Sequence, residues 1–164
     1  LLLSLALVPN ASAAPPTPPS GMLVLAAKPA PALKLNNADG KSFDLRQTRG
    51  HWTLVHFWAS WCGPCRKEMP TLQAMATRLP ALKVVLINTA ETDDEVFSFL
   101  ATVSPDLDSL LDRDGSVTER WRPRGLPSSF IVDRKGQLRY LALGGREWTS
   151  PAYFNFLAEL IKQP

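Results

Sequence analysis

The sequence predicts an α/β domain, a mixed central β-sheet flanked by helices on both faces, with an N-terminal β-hairpin and an inserted helix–strand. Three observations lead there. Short apolar runs of strand length alternate with amphipathic helical stretches. An early strand–helix–strand order implies parallel pairing through a crossover helix. The chain then closes on a hairpin and a last helix, so helices must cover both faces of one sheet. The 164 residues suffice for a single domain with a hydrophobic core and a short appendage.

The opening is not part of that domain. Leu1 to Val8 is apolar and is followed by Ala11-Ser12-Ala13-Ala14, small residues that fit an A-x-A cleavage site. Residues 1–14 are expected to be a truncated signal peptide cut near Ala13–Ala14 or, left uncleaved, a membrane tether. The stretch is too short to span a bilayer by itself, and no cysteine beside it could carry a lipoprotein anchor. A periplasmic or otherwise exported location follows, where disulfides persist. Residues 15–31 hold Pro15, Pro16, Pro18, Pro19, Pro29 and Pro31 with Lys28 as their one charge, and read as an extended linker. The folded domain is expected over residues 32–164.

Within it, Leu33–Leu35 and Ser42–Leu45 flank Asp39-Gly40, a hairpin signal. Trp52–Trp58 is a buried strand. After Cys62 a helix sets Met69, Leu72, Ala76 and Leu79 on one face, and Pro70 inside it is expected to kink it. Leu82–Asn88 is a second buried strand. Thr92-Asp93-Asp94-Glu95 has the capping-box pattern, opening a helix that carries Val96, Phe97, Leu100 and Val103. A short strand follows around Ser109–Leu111, then a turn at Asp112–Gly115 and a brief helix capped by Ser116-Val117-Thr118-Glu119 and ending at Trp121. Ser128–Asp133 and Gln137–Leu143 make a hairpin about Arg134-Lys135-Gly136. Ser150-Pro151 starts a last helix that buries Phe154, Leu157 and Ile161.

Composition narrows the function. With 45% apolar and 20% charged residues the chain is globular, neither disordered nor membrane-spanning. The net charge of +3 comes from scattered Lys and Arg with no basic block, so no nucleic-acid partner is implied. There are two cysteines, Cys62 and Cys65, with two residues between them. A disulfide framework in a small secreted domain has more of them, spaced more widely. A structural zinc site wants four ligands, and only His51 and His56 could join the pair. Asp112-Arg113-Asp114-Gly115 hints at a calcium loop, but the remaining ligands of that pattern do not follow. The cysteine arithmetic points to redox chemistry.

Trp61-Cys62-Gly63-Pro64-Cys65 lies between a buried strand and the start of a helix. Two intervening residues in a first helical turn bring the sulfurs close enough to bond with little movement. Free N–H groups and the positive end of the helix dipole stabilise a thiolate at Cys62. Cys62 can then attack a disulfide, and Cys65, one turn further in, resolves the mixed disulfide. Pro64 removes one backbone donor and stiffens the loop, so Gly63 and Pro64 tune the thiolate. The plain alternative is a static disulfide.

The segment Phe57-Trp58-Ala59-Ser60-Trp61-Cys62-Gly63-Pro64-Cys65-Arg66-Lys67-Glu68-Met69-Pro70 resembles the thioredoxin superfamily, and more narrowly its exported TlpA-like and ResA-like branch. The resemblance runs from about Ala32 to Ile161 and includes the hairpin and the extra helix–strand. It implies a thioredoxin-like fold and a protein-disulfide reductase. Gly125-Leu126-Pro127-Ser128-Ser129-Phe130-Ile131-Val132-Asp133 looks like the family's cis-proline segment. By that likeness Pro127 is cis and packs against the disulfide, and the Leu126 backbone pairs with an extended substrate strand. Read from the residues alone, Pro127 could equally be a trans proline opening a strand.

Two ionisable residues stand near the motif. Glu68 is three residues after Cys65, on the same helical face. The resemblance gives a glutamate here the proton of the second cysteine, and a carboxyl in a partly dry pocket suits that relay. A solvated helix charge beside Arg66 and Lys67 is the alternative. His56 stands where thioredoxins proper carry a buried aspartate; it is expected to tune Cys65, or else to be a hydrogen-bonded core histidine. Trp61 is expected in an apolar platform that docks partner proteins, while Trp58 is as readily core.

No organic cofactor or metal is expected beyond the redox-active Cys62–Cys65 disulfide. The resemblance implies protein thiol or disulfide substrates, among them apocytochrome c thiols, with a membrane thiol-reductant carrier as electron donor. The protein is expected to be a monomer. Two rivals stay open: an oxidant that donates disulfides, and a Cu(I)-binding delivery module using Cys62 and Cys65. A peroxidase lacks its Thr/Pro/Cys arrangement.

Overall fold

The computed structural model describes residues 15–164, so the expected signal peptide over residues 1–14 lies outside the described residues. The strands are β1 (Met22–Pro29), β2 (Lys34–Asn36), β3 (Ser42–Asp44), β4 (Thr53–Trp58), β5 (Lys83–Thr89), β6 (Ser109–Asp112), β7 (Ser128–Val132) and β8 (Gln137–Leu143). The helices are α1 (Gly63–Arg78), α2 (Asp93–Val103), α3 (Ser116–Trp121) and α4 (Pro151–Leu160). A six-stranded sheet has the order β1-β8-β7-β4-β5-β6, and β2-β3 form a separate hairpin. β4, β5 and β6 run parallel, while β7, β8 and β1 add in antiparallel fashion. The sheet is therefore mixed.

The linker expected over residues 15–31 is corrected by β1. Met22, Leu23 and Val24 pair with Ala142, Leu141 and Tyr140, and Lys28 and Pro29 pair with Leu138 and Gln137 after a register shift. Among the described residues, the sheet thus begins at Met22 and not after Ala32. The prolines that suggested a linker flank an apolar run, and an edge strand tolerates proline at its end because only one side of it is paired.

β4 occupies the middle of the sheet and is buried along its whole length. Side chains alternate across a strand, so Leu54 and Trp58 enter a cluster with Cys65, Met69, Leu72, Phe99, Phe156 and Leu157 from α1, α2 and α4. Val55 and Phe57 enter a second cluster with Leu33, Val117 and Trp121 from the hairpin side and α3. Each fully buried side chain of this size contributes about 1.5–3 kcal/mol. His56 shares the face of Leu54 and Trp58, which turns it toward α1.

Three helical details differ from expectation. Phe97 is 69% exposed and Phe99 takes its place in the core, its ring 5.2 Å from Trp58. In α4 the buried residues are Tyr153, Phe156, Leu157 and Leu160, while Phe154 and Ile161 are half-buried. Both helices carry aromatics two positions apart, and the phase is chosen by the packing partner. The cap of α3 is Gly115 in left-handed geometry. The Asp112 carboxylate supplies the anion instead of Ser116, accepting from the Val117 and Thr118 N–H groups at 3.1 and 2.7 Å. α1 continues through Pro70 to Arg78.

Candidate active site

The chain leaves β4 at Trp58, turns over Ala59 to Trp61, and enters α1 with Cys62 as its N-cap. The turn closes when the Cys62 N–H donates to the Ala59 carbonyl at 3.2 Å. Cys62 and Cys65 are joined in a disulfide with Cα atoms 5.2 Å apart. The Cys65 N–H points at Cys62 Sγ, 3.3 Å away. No acidic residue stands in the first turn of α1, so the sulfur is the acceptor that this helix start faces. Cys62 keeps 5% of its surface exposed and Cys65 none. Only the first sulfur lies where another molecule could reach it.

Directly along α1, Glu68 is buried, which overturns the reading of a solvated helix charge. Its Oε2 accepts from the Arg146 N–H at 2.8 Å and from the Trp148 indole N–H at 3.1 Å. Its Oε1 lies 3.2 Å from His56 Nε2, yet the two atoms lack hydrogen-bond alignment and, among the described residues, each is without another partner. His56 is fully buried, and its Nδ1 is 2.8 Å from Ser129 Oγ. A histidine and a carboxylate thus share a dry pocket one helical turn beyond Cys65.

The surroundings of the disulfide come from three loops. Trp61 is 71% exposed beside Cys62, whereas Trp58 is core and donates its indole N–H to Ser109 Oγ at 3.0 Å. The Leu126–Pro127 peptide is cis. The Pro127 carbonyl accepts from the Gly144 N–H at 2.9 Å. The next residue, Gly145, packs so closely on Pro64 that a Cβ there would meet the Pro64 Cβ at 3.2 Å. One dipeptide therefore ties the Pro127 segment to the Cys-Gly-Pro-Cys turn. Leu126 packs against the cluster that contains both cysteines. Among the described residues its N–H and C=O have no hydrogen-bond partner, so they remain free for an incoming strand.

Sequence reading brought together Cys62, Gly63, Pro64, Cys65 and Glu68 because they are neighbours on one helix start. It did not find Ser129, Arg146 or Trp148, which reach Glu68 and His56 across long sequence separations. It also missed Glu91. That carboxylate accepts from the Ser60 N–H at 2.7 Å, from the Ser60 hydroxyl and from the Asn88 side chain, pinning the turn that presents Trp61. The Gly144-Gly145 pair was the one local signal of a close approach.

Residues 26–141 match the model of the AhpC/TSA family. The chain belongs to that family. It is 26% identical over 113 residues to the thiol-disulfide oxidoreductase ResA of Bacillus thuringiensis subsp. konkukian, a match covering 68% of this chain and 65% of that protein. This chain therefore spans just under two thirds of that relative's own length. It is 29% identical over 112 residues to sporulation thiol-disulfide oxidoreductase A of Bacillus subtilis, covering 62% of this chain and 68% of the relative. Among solved structures it resembles a Chlorobium tepidum protein provisionally named thiol:disulfide interchange protein DsbE. That likeness has a TM-score of 0.75 and 27% identity, over 82% of this chain and 96% of the other. The fold is thioredoxin-like.

Proposed function

We propose that this protein is a thiol–disulfide oxidoreductase that reduces protein disulfides in an exported compartment. The observation that carries the reading is the placement of the cysteines. Cys62 caps a helix with its sulfur facing the Cys65 N–H, and Cys65 is sealed behind it, one helical turn before the buried acid Glu68. The similarity to ResA and to the B. subtilis sporulation oxidoreductase supports it.

In the reduced protein the Cys62 thiolate attacks one sulfur of a substrate disulfide, and the other substrate sulfur leaves as a thiolate that takes up a proton. Cys65 gives its proton to Glu68 and attacks Cys62 Sγ. The Cys62–Cys65 bond forms, the second substrate thiolate departs, and two electrons have passed to the substrate. Trp61 offers an apolar face for docking, and the Leu126 backbone pairs with the substrate strand while Pro127 serves as its platform. The chemistry draws on the cysteine pair, with no organic cofactor or metal. Electrons return through a membrane thiol-reductant carrier, and apocytochrome c disulfides, reduced to the thiols that haem attachment needs, are one class of substrate.

The reduction potential of the Cys62–Cys65 couple, read by equilibration with glutathione or dithiothreitol mixtures, tests this. A value near thioredoxin's, about −270 mV, supports a reductase. A value near about −120 mV turns the reading to disulfide donation. The absence of any reversible couple overturns thiol exchange and brings Cu(I) binding forward.

A further inference from the structure

We propose that His56 and Glu68 hold one shared proton between them, with the Ser129 hydroxyl turning to match. This unit, and not Glu68 alone, receives the proton that Cys65 gives up. The inference rests on the thiol-exchange reading above and adds two positioning residues to it.

The atoms stand within reach of one another. Glu68 Oε2 is taken by two fixed N–H donors, Arg146 backbone and Trp148 indole. Oε1 is left facing His56 Nε2 at 3.2 Å, and among the described residues neither atom has another partner. Two buried polar atoms kept unpaired toward each other are unusual in a folded protein. They make an open seat for one proton. On the far side of the ring, Ser129 Oγ is 2.8 Å from Nδ1. A hydroxyl can donate or accept, so it serves the ring whether Nδ1 carries hydrogen or not.

Charge favours the same arrangement. A carboxylate beside a neutral imidazole leaves one uncompensated negative charge in a dry pocket, which is unfavourable. An added proton removes it. That proton can sit on Oε1, donating to Nε2, or on the imidazole, donating to Oε1; in either case Nδ1–H then donates to Ser129 Oγ. The charged groups around Glu68 are Lys67 from α1 and Arg146 and Glu147 from the loop after β8, and Cys65 lies one helical turn before it on α1. β7 contributes the neutral Ser129. Lys67, Glu68, Arg146 and Glu147, with Pro64 and Gly145, line a groove of about 460 Å³ that leads from Glu68 to solvent. The pair can therefore exchange its proton with water through this groove.

In the step itself, Cys65 S–H loses its proton to the pair and the Cys65 thiolate attacks Cys62 Sγ of the mixed disulfide. The Cys62–Cys65 bond forms, the substrate thiolate leaves with two electrons, and the proton stays on the pair while the disulfide stands, to be handed back to Cys65 when the disulfide is next reduced.

The first test follows the imidazole 15N signals of the whole protein, oxidised and reduced, across neutral pH. His51 and His56 are the only histidines, so two rings are read. The His56 ring should change its proton occupancy on reduction at fixed pH, and Glu68→Gln should abolish that response. A ring that keeps the same tautomer and charge in both redox states overturns the proposal. No variant at His56 is needed, so the result decides even where His56→Asn does not fold.

The second test loads Cys62 with thionitrobenzoate and times its release by Cys65. His56→Asn should slow release about tenfold to a hundredfold and displace its pH profile. The same substitution in Glu68→Gln should change it less than about twofold, as residues acting as one unit do. A wild-type profile in His56→Asn, or equal effects in both backgrounds, sinks the shared-proton unit while thiol exchange stands. If the wild-type protein releases no thionitrobenzoate, the thiol-exchange reading fails and this inference goes with it.

Discussion

Two helices in this protein begin in opposite ways. α2 starts with a complete capping box: Thr92 Oγ accepts from the Glu95 N–H, and Glu95 Oε2 accepts from the Thr92 N–H at 2.9 Å. Asp93, Asp94 and Glu95 crowd its first turn, and Asp93 pairs with Arg113 at 2.6 Å. α1 has none of this. Its first turn holds no acid, Pro64 contributes no N–H, the cap is a sulfur, and the cations Arg66 and Lys67 follow at once. At α2 the positive end of the helix is neutralised by the helix's own side chains, which stabilises the fold. At α1 it is left for the sulfur of Cys62, where it favours a thiolate. A reactive helix start can be recognised by the capping groups it does not have.

The largest break in that contrast comes from removing the sulfurs. Cys62→Ala should abolish reduction of insulin disulfides, and Cys65→Ala should leave a mixed disulfide with the substrate that mass spectrometry detects. Retained turnover in Cys62→Ala would falsify the assignment of the attacking sulfur. Removing the other cap should act on stability alone. Thr92→Ala loses the hydroxyl acceptor and should cost about 1 kcal/mol, lowering the melting temperature by roughly 2–4 °C. The reduction potential should stay where it is. A shifted potential in Thr92→Ala would mean that the two helix starts are coupled, which their separate capping does not provide for.

The same contrast explains what could be read from the sequence. Capping boxes, hairpin turns and the Cys-Gly-Pro-Cys turn are local: Thr92 and Glu95 are three residues apart, as are Cys62 and Cys65. Such pairs are legible because helix geometry alone brings them together. The Glu68 pocket is assembled otherwise. His56 comes from β4, Ser129 from β7, and Arg146 and Trp148 from the loop before α4, so only the sheet order and the return of the chain over α1 unite them. β1 was hidden for a related reason. Met22–Leu25 is an unremarkable apolar run, and its pairing depends on β8, more than a hundred residues further on. The phases of α2 and α4 escaped because Phe97 and Phe99, or Phe154 and Phe156, satisfy an amphipathic pattern about equally. Trp58 and Tyr140 decide which ring is buried.

A smaller change would make α1 more like α2. Gly63 has open space where a Cβ would stand and no left-handed backbone to prevent one. Gly63→Asp therefore places a carboxylate in the first turn, beside the sulfur. An acid at a helix start interacts with it by about 0.3–1 kcal/mol, and 1.36 kcal/mol corresponds to one pH unit. The Cys62 thiolate should be disfavoured, moving the midpoint of its alkylation–pH curve upward by roughly 0.2–0.7 units. An unmoved midpoint would mean that the helix field is not what acts on Cys62.

The smallest effect is expected at α2 itself, on acidification. The Arg113 hydrogen bond holds Asp93 below its ordinary 3.8, and the Thr92 N–H and hydroxyl hold Glu95 below its ordinary 4.5. Both carboxyls are depressed on folding, so their contribution is complete above those ordinary values and fades as pH falls through the lowered ones. Glu95 is exposed and Asp93 half-exposed, so salt screens both. Hydrogen exchange should therefore report fraying of the first turn of α2 below about pH 4, greater at low salt than at high. The first turn of α1, with no carboxylate to protonate, should keep its protection over the same range. Equal fraying of both turns would mean that acid acts through the whole domain, and the difference between the two helix starts would then lie in their chemistry alone and not in their stability.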